Sequence, residues 1–166
     1  MGSRPADREG IEIATLIPTA ERVAPDEDQT YLDESYVSVQ WRRASKILFT
    51  EWKAYATSQE LRKVLATVLG AIHERHVLHL VGDSRRARVV REGDELWARE
   101  VWFPTIVKSG LERMATVTSP TGMGRIQHEE FFKQMCNHGL AMRKFATVEA
   151  AIAWVQTGID KKGPLR

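Results

Sequence analysis

One cysteine, Cys136, leaves this chain of 166 residues without an intrachain disulfide and without the thiolates of a multi-cysteine zinc site. That scarcity suits a reducing compartment, and the cytoplasm is the expected location. Long hydrophobic runs are lacking as well. Charges interrupt every apolar stretch before it reaches the roughly 18 to 20 residues of a membrane span, so no span is expected. Residues 1–10 are polar with mixed charge and hold no apolar run behind a basic start, so no secretory signal is read there. Repeats and low-complexity segments are missing too, which argues against solenoids and propellers. What remains is a length and an apolar share of 43% that suit one domain with one core.

The formal net charge of +2 conceals a split. Residues 1–33 carry 3 basic and 8 acidic side chains, whereas residues 34–166 carry 21 and 14, so an arm of −5 is joined to a body of +7. Within the arm, Ile11, Ile13, Leu16 and Ile17 form an apolar island too short to fold alone. It reads as an arm that packs on its own domain as an added strand or turn, or else as a partner-docking segment. The domain boundary is placed near residue 33, and residues 159–166 read as a basic end.

From residue 36 the pattern alternates, with Val37, Val39 and Trp41 opposite Tyr36, Ser38 and Gln40, and residues 46–54 read as a second strand; together they predict an antiparallel hairpin. Thr57 and Glu60 stand three apart as in a capping box, ahead of a helical stripe at Leu61, Val64, Leu65, Val68, Leu69 and Ile72. Residues 77–81 read as a central strand running into Gly82, Asp83 and Ser84. Residues 92–109 have helical spacing with Pro104 forcing a kink or break. A strand over 111–118, a loop over 119–124, a helix over about 126–137 and a strand over 140–145 follow, and Thr147 caps a last helix. This alternation predicts an α/β fold with a mostly parallel sheet of four to five strands and an N-terminal antiparallel hairpin.

Residues 36 to about 157 resemble the small sulfate-transporter and anti-sigma-factor-antagonist (STAS) domains, and more closely the uncharacterised bacterial proteins grouped with them and with the Sec14 superfold. The residues that carry the resemblance are the Trp52 strand leading to Thr57-Ser58-Gln59-Glu60, the strand-end Asp83-Ser84-Arg85, and Trp102-Phe103-Pro104 followed by Gly110-Leu111-Glu112-Arg113-Met114-Ala115. Phe145-Ala146-Thr147 running to Ala153-Trp154-Val155 completes them. The resemblance implies βα units coiled as a right-handed superhelix, working as a regulatory or protein-docking module. The phosphorylated antagonists carry a serine-glycine-leucine pattern at the strand-to-helix turn, whereas Ser84 is followed by Arg85-Arg86-Ala87-Arg88, so the phospho-switch is not carried over. Neither is lipid transfer, since a body of this size lacks the additional helical region of Sec14 proteins.

Few residues form patterns that carry chemistry. His73, His76 and His79 are spaced three apart, yet the predicted helix end, turn and strand separate them, so no metal site is expected. Cys136 lies on the apolar stripe of its helix and reads as a core residue, and His138, two positions on, diverges from it. No nucleophile elbow, Walker lysine or two-histidine zinc motif occurs, and the acids Asp94-Glu95 and Glu129-Glu130 read as solvated helix faces. The chain is therefore read as non-enzymatic, with no cofactor. Nucleic acid is not expected as a partner, because the basic loop has no interleaved aromatics and the body no reading motif.

Two functional expectations follow. The first is a cytoplasmic module working by protein docking or self-association, through Ile11, Ile13, Leu16 and Ile17 of the arm and the aromatics Trp97 and Trp102 of the 92–109 helix. Since those tryptophans stand five apart, one is expected in the core and the other at the surface. The alternative is a sensor of a small anionic metabolite or nucleotide. Asp83, Ser84, Arg85, Arg86 and Arg88 would meet Thr121, Gly122, Gly124 and Arg125 at the carboxyl ends of the parallel strands, where ligands bind in such sheets.

Overall fold

The computed structural model describes residues 27–88, 91–119 and 138–157. Three antiparallel strands open the sheet: β1 (Gln29–Asp33), β2 (Val37–Arg42) and β3 (Ile47–Trp52). Three parallel strands continue it, β4 (His79–Asp83), β5 (Arg113–Val117) and β6 (Ala141–Phe145), and the spatial order is sequential from β1 to β6. The class is α/β, as the alternation predicts. The sheet nevertheless has six strands rather than four or five, because β1 lies inside the acidic arm and the sheet starts at Gln29, upstream of the boundary read from composition. A bulge explains why alternation does not reveal β1. Thr30 pairs with Gln40 and Leu32 with Val39, so Tyr31 is inserted and both Tyr31 and Leu32 pack on the same core.

Helix α1 (Ser58–Arg75) crosses from β3 to β4. Its capping box forms as read: Thr57 Oγ1 accepts from the Glu60 amide at 3.3 Å, and Glu60 Oε2 accepts from the Thr57 amide at 2.7 Å. The helix ends on His76, which takes the left-handed conformation (φ 51°) and donates its N–H to the Ile72 carbonyl. Between β4 and β5 run α2 (Glu92–Trp97), a π-helical turn (Ala98–Trp102) and α3 (Phe103–Lys108). Pro104 has no N–H for the carbonyl four residues back, and its ring crowds that turn. The chain responds by widening just before it, with Phe103 donating to Ala98 five residues back. The irregularity thus lies upstream of Pro104. The last helix, α4 (Val148–Gln156), starts at Thr147, whose hydroxyl accepts from the Ala150 amide at 3.2 Å.

The sheet buries two separate clusters. Val37, Val39, Leu48 and Leu80 join Val64, Val68 and Ile72 of α1 and Trp102 and Ile106 of the second crossover on one face. On the other, Ile47, Phe49, Val81, Ala115 and Val117 meet Ala151 and Val155 of α4. β4 sits centrally, as predicted, and Gly82 lets it approach β3, since a Cβ there would lie 3.2 Å from Thr50 Oγ1.

Candidate functional site

The carboxyl ends of the parallel strands gather Glu51 from β3, Asp83 from β4 and the loop over residues 84–88. Asp83 is buried, and its carboxylate accepts from both the backbone and the side chain of Arg85. Oδ1 accepts from the Arg85 amide at 3.1 Å and from Arg85 Nε at 3.0 Å, and Oδ2 accepts from Arg85 Nη2 at 2.7 Å. Burial pushes the Asp83 carboxyl up, but the Arg85 bonds and charge outweigh it and hold the group below its ordinary value. Arg85 is raised by the same pair, with Glu149 and Glu51 adding to it. The Ser84 amide donates to Val117 O at 2.8 Å, so the loop is also tied to β5.

This arrangement adds a contact that the sequence reading did not include. The two bind each other, so Arg85 ties the loop back to the strand end, and Arg85, Arg86 and Arg88 are all exposed. Thr121, Gly122, Gly124, Arg125, the helix over 126–137 with Cys136, and the island Ile11 to Ile17 lie outside the described residues. The three histidines separate as expected, onto the last turn of α1, its left-handed cap and the first residue of β4. Among the described residues no group of three or more histidines, cysteines and carboxylates stands together. Asp94, read as solvated, is instead buried and accepts from Ser58 Oγ at 2.5 Å, which ties α2 to the start of α1.

The second predicted surface, around Trp97 and Trp102, changes more. Trp102 is buried, donates from Nε1 to Leu65 O at 3.0 Å and meets Phe103 edge-to-face at 4.8 Å, so it belongs to the core and not to an interface. Trp97 is half-buried on the same core, with the Arg62 guanidinium 4.7 Å over its ring. A 3.6-residue period sets residues five apart on diverging sides, but the widened turn brings both tryptophans onto one cluster. The same turn leaves Leu96 (41% exposed) and Val101 (50%) outward, two residues that helical periodicity does not single out together.

A third feature, at the opposite edge, has no sequence signal. Arg113 opens β5, is buried, and donates from Nη1 to the Trp154 and Thr157 carbonyls at the end of α4, at 2.6 and 2.5 Å. Its position inside a strand pattern points to no partner, because that partner is 41 residues away.

With this geometry in place, the chain was compared with known proteins. No family model, curated protein or solved structure matches it. In the described residues, no helix is long and apolar enough to cross a membrane.

Proposed function

We propose that this chain is a non-enzymatic, STAS-like module that works by protein docking, with the outward side of residues 92–108 as its docking surface. The observation that carries the reading is the exposed pair Leu96 and Val101 beside the half-buried Trp97. They stand on a segment whose inner side is anchored through Trp102 and Ile106. A partner that covers them removes apolar area from water at about 25 cal/mol per Å² without reordering the segment that presents them. The STAS-like assignment draws support from the sequential strand order after an antiparallel start and from helices on both faces. A wide π turn also recurs at functional positions in helices.

Val101→Asp tests the reading in the full chain. Concentration-dependent sedimentation and affinity capture of one defined partner are expected to show association in the wild type and its loss in the variant, with the melting temperature unchanged. Association that survives the substitution overturns the proposal. The anionic-ligand alternative rests on the exposed Arg86 and Arg88. It predicts a raised melting temperature with nucleotides or phosphorylated metabolites, which the docking reading does not.

A further inference from the structure

A cluster at the amino-terminal edge of the parallel strands lies apart from the docking surface. A helix end leaves its last carbonyls without intrahelical donors. At the end of α4, Trp154 O accepts from Thr157 Oγ1 at 2.7 Å and from the Thr157 amide at 3.3 Å, and Arg113 Nη1 reaches in from the sheet to donate to Trp154 O, to the O of the cap residue Thr157 and, at 3.1 Å, to Thr157 Oγ1. Arg113 is 7% exposed, and its guanidinium carbon lies 5.4 Å from the Trp154 ring centroid. No basic side chain stands in the last turn of α4 itself. The β4 residue paired with Arg113 is His79, half-buried on the same face. The register that pairs Leu48 with Leu80 sets the fully buried Ile47 on the other side of His79. The charged groups acting on the imidazole are Arg113 and, opposing it, Glu112.

We propose that His79 makes the C-terminal end of α4 acid-sensitive: a proton on the imidazole sets a second cation beside Arg113, and the repulsion draws Arg113 off the carbonyls it holds. Burial, then the Arg113 charge, favours the neutral imidazole and outweighs Glu112, so His79 stays uncharged below the ordinary histidine range. The unfolded chain therefore binds the proton more readily. The stability this group contributes is complete above its ordinary value of 6.5 and is lost as pH falls toward the lower folded value. The output is geometric: α4 covers Phe49, Val81, Ala115 and Val117, and lifting its end bares that apolar surface.

Hydrogen exchange on the full chain at about pH 7.5 and about pH 5.5, the window in which histidines titrate, tests the device. The protection of α4 is read as a ratio to that of α1 in the same sample, which cancels the pH dependence of exchange chemistry. A several-fold fall in that ratio at the lower pH is expected in the wild type. His79→Gln abolishes the fall, and His79→Arg shows it at both pH values while α1 stays protected. An unchanged wild-type ratio overturns the proposal. So does a His79→Gln chain that still loosens in acid, an outcome that removes His79 as the trigger.

Discussion

On one face of the sheet, α1 with 18 residues and the segment over 92–108 close over β2, β3 and β4; on the other, α4 with nine residues stands over β4, β5 and β6. An isolated helix below about 12 to 15 residues is marginal in water, so α4 is held by what it touches. α1 has a reciprocal capping box, whereas α4 has a single hydroxyl at its start and, at its end, the Thr157 hydroxyl and one arginine from the sheet. The thick face thus stores its stability in packing. The thin face has a smaller apolar cluster and adds polar contacts at its margins, which respond to pH and to single substitutions. Two titratable groups of β4, Asp83 and His79, stand at its opposite ends, near the two edges where α4 begins and ends.

The comparison breaks most readily at Trp102. Trp102→Ala removes a buried indole and its bond to the Leu65 carbonyl, and is expected to cost about 4 kcal/mol in urea unfolding, with both faces melting together. A loss under about 1 kcal/mol would mean that the thick face is not the main store of stability. Arg113→Gln is expected to cost less, about 2 kcal/mol, as the charge-assisted bonds are lost. Its mark is selective: exchange in α4 rises while α1 stays protected. Equal loosening of both helices would erase the distinction between the faces. The smallest effect belongs to Asp83→Asn at the carboxyl edge, where Arg85 is largely open to solvent. The Asp83 carboxyl lies below its ordinary 3.8, so its contribution is present above that value and lost as pH falls through the folded value. Stability measured against pH should therefore decline less steeply in the acid range for the variant than for the wild type. Identical curves would remove Asp83 from the account.

Local chemistry made several elements readable. The Thr57 and Glu60 pair, the α1 stripe, the central β4 strand and the Thr147 cap rest on contacts within four residues or on plain periodicity, and all four form. β1 was hidden for two reasons: its composition matches the acidic arm, and its bulge spoils a two-residue alternation. The outward pair Leu96 and Val101 was hidden because a fixed 3.6-residue period does not include a wide turn. The pairing of Arg85 with Asp83 was not read from the sequence, because it depends on how the strand end places a buried carboxylate two residues from the guanidinium.

By itself the sequence determined the α/β class, the parallel run after an antiparallel start, and the helix caps, since periodicity and side-chain-to-backbone bonds act over a few residues. Tertiary structure alone decided that β1 joins the sheet, that Trp102 is core while Leu96 and Val101 face outward, and that Arg113 closes α4. Each of these depends on which distant group a side chain meets: Arg113 with carbonyls 41 and 44 residues on, Trp102 with a carbonyl 37 residues back. No local pattern specifies such a meeting, because the sheet register brings the partners together only once the chain has folded.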